Sequence, residues 1–169
     1  MEIETPVSSP RRRPDFLTVL CILTFIGSGF GLLNAFTNYI NADVLTEFAQ
    51  EAIGKSKEKV GEDLSGGEKR IAEKIISEAS SMLDPKKLKQ NYLLTFVANL
   101  FTLFGAILMF RMKKTGFWLY VAGIVALVMA PVIIFGPGNL LSLGLSFSLA
   151  LVGILFIVLY SLNLKHMNQ

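Results

Sequence analysis

Four stretches of this chain contain no charged residue: 16–40, 91–110, 116–136 and 140–163, with 25, 20, 21 and 24 residues. About 20 apolar residues in a helix cross the roughly 30 Å hydrocarbon core of a bilayer. Inside that core every backbone N–H and C=O must find a partner, and a helix supplies all of them within one segment. The chain is 52% hydrophobic and 17% charged, against about 25% charged for an ordinary soluble domain. All 16 basic and 13 acidic residues lie outside the four stretches. The expected fold is therefore all-α: four transmembrane helices, with a helical extracytoplasmic hairpin between helices one and two.

In chain order this gives an N-terminal tail (1–15), helix one (16–40), an outer segment (41–90), helix two (91–110), a turn (111–115), helix three (116–136), an outer turn (137–139), helix four (140–163) and a C-terminal tail (164–169). Lysines and arginines near span ends set orientation. Arg11, Arg12, Arg13, Arg111, Lys113, Lys114 and Lys165 fall on one side after four crossings. The 41–90 segment has nine basic and ten acidic residues. The expectation is a multi-pass protein of the cell membrane with both termini cytoplasmic. Lys86, Lys87 and Lys89 run against the trend, crowding the outer start of helix two. Tyr39 and Tyr92 are expected at the outer interface, and Trp118, Tyr120 and Tyr160 toward the inner one. Helix one is expected to be a retained anchor, because its apolar run far exceeds the 7–15 residues of a signal peptide's hydrophobic region. Cys21 lies within that helix and has no second cysteine to pair with.

The run TFIGSGFGLLNAFTN (24–38) is the most motif-like in the chain. Phosphate-binding glycine loops join a strand to a helix at a water-exposed edge. Here the glycines sit inside an apolar span and no P-loop lysine follows. Gly27 and Gly31 are expected instead to let a neighbouring helix approach closely. Ala122, Ala126 and Ala130 form a similar stripe in helix three, and Ser142, Ser146 and Ala150 in helix four.

In the outer segment, Val44, Leu45, Phe48, Ala52 and Ile53 share a helical face. Gly61 and Gly66-Gly67 mark a turn, and Ser65 with Glu68 matches a capping box. Ile71, Ile75, Ile76, Ala79, Met82 and Leu83 line the next helix. Asp84-Pro85 ends it and starts a helix that runs on into span two. The two outer helices can cover each other, rest on the membrane surface, or offer 44–83 to a partner protein.

Several chemistries lack their residues. Proton-coupled transporters keep ionisable groups inside the membrane, and this chain has no Asp, Glu, Lys, Arg or His there. Asn34, Asn38 and Asn99 are the intramembrane amides, expected to bond across helices; a polar pore lining is the other use for them. A single histidine, His166, makes neither a zinc site nor a catalytic triad. No cofactor, metal or catalytic residue is expected, and the chain reads as a non-enzyme. The net charge of +3 sits on the membrane flanks and does not point to nucleic acid. Pro131 should kink helix three.

RPDFLTVLCILTFIGSGFGL (13–32), FGAILMFRMKKTGFWLYVAG (104–123) and LYSLNLKHM (159–167) resemble small four-helix membrane proteins of Bacteroidota-type bacteria. The resemblance covers the chain apart from the outer segment. It implies a bacterial inner-membrane protein and brings no known activity with it. The expected role is structural or accessory, with membrane lipid and a protein partner or a second copy as contacts. A small oligomeric channel or passive transporter is the alternative.

Overall fold

A computed structural model describes residues 14–63 and 66–167. Six α-helices follow in order: α1 (Asp15–Ile40), α2 (Ala42–Asp63), α3 (Gly66–Met82), α4 (Pro85–Phe110), α5 (Thr115–Phe135) and α6 (Leu140–Ser161), with a single 3-10 turn at Leu164–His166. No strand occurs among the described residues. Four helices are long and apolar enough to cross a membrane: α1, α4, α5 and α6, with 26, 26, 21 and 22 residues. They fit a multi-pass membrane protein. The Arg11–Arg13 flank and the Ser65 cap lie outside the described residues.

The helix boundaries have local causes. The Asp84 side chain accepts a hydrogen bond from Lys86 N–H at 2.9 Å, with Pro85 at the first helical position. That cap starts α4 well before its apolar stretch. Between α4 and α5, Lys113 N–H bonds to the Leu108 carbonyl and Met112 N–H to that of Met109. This is a Schellman closure, which needs a left-handed residue at the position Met112 occupies, with φ 63°. Glycine is usual there. Met112 instead packs its side chain on the nearby hydrophobic cluster, offsetting the backbone cost. Gly136, at φ 91°, turns α5 into α6 in a conformation open to glycine.

Residues from the start of α1 (Leu17, Leu20, Cys21), the end of α4 (Met109), the start of α5 (Phe117, Tyr120) and the end of α6 (Tyr160) share one buried cluster. Tyr120 and Tyr160 meet edge to face, with centroids 5.0 Å apart. Tyr120 and Tyr160, expected toward the inner interface, are core residues at the helix ends beside the α4–α5 turn, while Trp118 is 71% exposed. Outside this cluster the four long helices bury small residues and turn large ones outward, as Phe30, Leu33, Ile133 and Phe147 show. Lipid tails are as apolar as leucine, so membrane helices associate through close backbone packing more than by hiding large side chains.

Gly136 to Asn139 ties α3 to the bundle. The Asn139 carboxamide oxygen caps α6 by accepting from Ser142 N–H at 3.0 Å. Its amide nitrogen donates to the Glu78 carbonyl and to Ser81 Oγ. Leu140 N–H donates to the Glu78 carboxylate at 2.9 Å. Asn139→Ala is expected to cost about 2 kcal/mol, roughly 1 for the cap and the rest for the lost α3 bonds. Hydrogen exchange should then quicken in both the first turn of α6 and the end of α3; faster exchange in α6 alone would show that Asn139 does not hold α3.

Candidate functional surfaces

Four interior hydroxyls are arranged in two pairs. Thr24 Oγ1 of α1 and the Tyr160 hydroxyl of α6 are 2.7 Å apart. Ser28 Oγ of α1 and Thr102 Oγ1 of α4 are 2.8 Å apart. Both pairs are buried. Away from water a hydroxyl without a partner is costly, so these pairs fix the register of α1 against α6 and α4. Intramembrane hydrogen bonds average only about 0.6 kcal/mol. Tyr160→Phe, which keeps the ring, is therefore expected to cost less than about 1 kcal/mol in a thermal-unfolding assay in detergent. A loss of several kcal/mol would mean that the Thr24 bond carries more of the fold.

The expected amide contacts across helices are corrected. Asn38 donates to Asn34 at 2.8 Å along the same helix, and Asn34 is exposed. Asn99 is buried, but donates to the Thr95 carbonyl of its own helix. The cross-helix bonds use hydroxyl groups. Serine and threonine are frequent in membrane spans, and pattern alone could not say which of them faced each other.

The small-residue stripes also redistribute. Gly31 sits against Asn99: a Cβ there would stand 2.5 Å from its Oδ1. Gly27 has nothing within 4 Å of a built Cβ, so the expected Gly27–Gly31 pair contributes one contact position. Ala130 is buried, Ala126 half-buried and Ala122 exposed, so their stripe does not form a single packing face. Ser142 and Ser146 are buried and Ala150 half-buried. The closest packing lies at Gly105, Gly116 and Gly123, between α4 and α5, where a Cβ would strike the backbone of the other helix. The short turn that joins these helices was a signal that they must be neighbours.

A cavity of about 190 Å³ lies among the four long helices. Thr24, Ser28, Asn99, Thr102 and Tyr120 contribute to its wall, alongside Leu127, Val128 and Phe156. Leu23 of α1 and Val152 of α6 line it and are both exposed, so it opens sideways between those helices. Its hydroxyls at Thr24, Ser28 and Thr102 already have protein partners. Among the described residues, no three His, Cys, Asp or Glu side chains gather as metal ligands would.

Helices α2 and α3 present a different surface. Ala42 and Thr46 are buried, and Ala49 and Ile53 half-buried, so the covered face of α2 is built mainly of small residues. Val44, Leu45 and Phe48, expected to share a helical face with Ile53, stand 53%, 41% and 69% exposed. On α3, Ile76, Ala79 and Met82 are half-buried, as is Leu83 just after it, while Ile71 and Ile75 remain exposed. Small side chains allow α2 to lie close to its neighbours, and the bulky residues are left at the flanks. Compared with known proteins, the chain matches no family model, no curated protein and no solved structure.

Proposed function

We propose that this chain is an accessory or structural protein of a bacterial inner membrane, without enzymatic activity. It works through helix contacts in the bilayer and through α2 and α3 as an extracytoplasmic hairpin, with both termini cytoplasmic. The observation that carries this reading is the exposed apolar set Val44, Leu45, Phe48, Ile71 and Ile75 on helices otherwise rich in charge. Large apolar side chains left exposed on charge-rich helices mark a contact with another molecule.

A second reading, a homo-oligomer that forms a small channel or passive transporter, draws support from Asn34. Its exposed amide lies on a helix long enough to span the membrane, and a second copy would cover it. Amine cross-linking in intact membranes separates the two. Lys55, Lys57, Lys59 and Lys74 lie on α2 and α3. Links from them to one different protein are expected. Links only between copies would transfer support to the oligomer, and the absence of any link to a second chain would count against both.

A further inference from the structure

We propose that the groove beneath α3 holds one anionic membrane phospholipid, with an acyl chain inside and its phosphate at Lys86 and Lys87. The groove has a volume of about 660 Å³. Leu88 and Asn91 of α4, Phe135 of α5, Leu141 and Leu145 of α6, and Met82 of α3 contribute to its wall. At roughly 30 Å³ for each water in the liquid, the space equals about twenty waters. Its apolar wall gives that much water few partners. It lies where three membrane-spanning helices meet the outer segment, so the apolar matter at hand to fill it is lipid.

The charge at its upper edge selects among lipids. Lys89 pairs with Asp43 at 2.7 Å. Lys86 and Lys87 are exposed and have no carboxylate partner among the described residues. Lys87 stands one helical turn above Asn91, on the stripe that lines the groove. Lys86 is its neighbour. The two unpaired ammonium groups, both in the first turn of α4 above the apolar slot, match a phosphate above an acyl chain. Asn91 adds a polar step between them: its Oδ1 is buried and has no partner among the described residues. The location also gives the lysines a use on a side of the chain where basic residues are otherwise balanced by acidic ones.

Native mass spectrometry of the full chain in detergent, with phosphatidylglycerol or phosphatidylcholine of matched chains, tests this. One phosphatidylglycerol is expected to remain bound, preferred about tenfold over phosphatidylcholine, as two lysines near a phosphate should allow. The double variant Lys86→Gln/Lys87→Gln should retain both lipids alike. Gly144→Phe should retain neither, because Gly144 lines the groove and a Cβ there meets nothing within 4 Å, so the ring can enter it without a clash. Equal retention of the two lipids by the natural chain would overturn the proposal. So would a Gly144→Phe variant that folds and binds phosphatidylglycerol as before.

Discussion

Gly105→Val is expected to break the bundle, whereas Gly27→Val leaves it close to its natural stability. A Cβ on Gly105 would lie 2.6 Å from Tyr120 N and 2.8 Å from the Gly116 carbonyl oxygen. Across the same seam, a Cβ on Gly116 would lie 2.5 Å from the Gly105 oxygen and 2.6 Å from Met109 N. These are backbone atoms on both sides, and no rotamer change can move them. The helices must part, and the contacts from Gly123 to Thr102 and Ala98 loosen with them. Overpacking a tight core typically costs about 1–3 kcal/mol and sometimes more. A branched side chain at this crossing should reach about 3 kcal/mol, enough to lose most folded protein on gel filtration in detergent. At Gly27 a Cβ has nothing within 4 Å, and the added methyls face the small lateral cavity. If both variants unfold at the same temperature, close α4–α5 packing is not what holds the bundle.

Phe48→Asp combined with Ile71→Asp is expected to abolish partner recovery while leaving the fold intact. Phe48 is 69% and Ile71 64% exposed, so neither change opens a cavity, and exposed substitutions usually stay within about 0.5 kcal/mol. Apolar anchors at the centre of an interface cost about 2 kcal/mol or more when lost, which corresponds to a drop in affinity of more than tenfold. The amount of cross-linked partner should fall accordingly, with membrane insertion and detergent extraction unchanged. Undiminished cross-linking would place the contact elsewhere than on these flanks of α2 and α3. The point substitutions are preferable to removing 44–83, because α3 also bonds to the α6 cap through Glu78 and Ser81.

The four long helices were legible because charge avoidance over 20 or more residues reflects one strong constraint, the absence of water from the bilayer core. The cap at Asp84-Pro85 was legible for a similar reason: few roles suit that dipeptide between two helical patterns. Which small residues meet was much less so. Gly27, Gly31, Gly105, Gly116 and Gly123 are chemically identical, and only helix azimuth separates the lateral cavity from a backbone crossing. The short turn at 111–114 makes α4 and α5 adjacent, and that adjacency was the clue to the glycines beside it.

The surface of α2 misled for a different physical reason. Val44, Leu45, Phe48, Ala52 and Ile53 are a sound apolar arc, but periodicity alone does not say which part of it is covered. Burial in fact centres on Ala42 and Thr46, where Thr46 also returns its hydroxyl to the Ala42 carbonyl at 2.6 Å. Close approach selected small residues over large ones, as it did between α4 and α5. The tie from Asn139 to Glu78 and Ser81 spans about 60 residues of chain, and no local pattern announces it.

The central claim is that four helices cross the membrane and that α2 and α3 stand on the side opposite the termini. Single cysteines at Ser56 of α2, Ser77 of α3, Lys113 in the α4–α5 turn and Lys165 after α6 test it with a membrane-impermeant thiol reagent. The natural Cys21 is fully buried and gives little background. In cells whose outer membrane alone has been opened, positions 56 and 77 should label at once. Positions 113 and 165 should label only after the inner membrane is broken. Labelling of all four before that step, or of 113 and 165 ahead of 56 and 77, would contradict the arrangement.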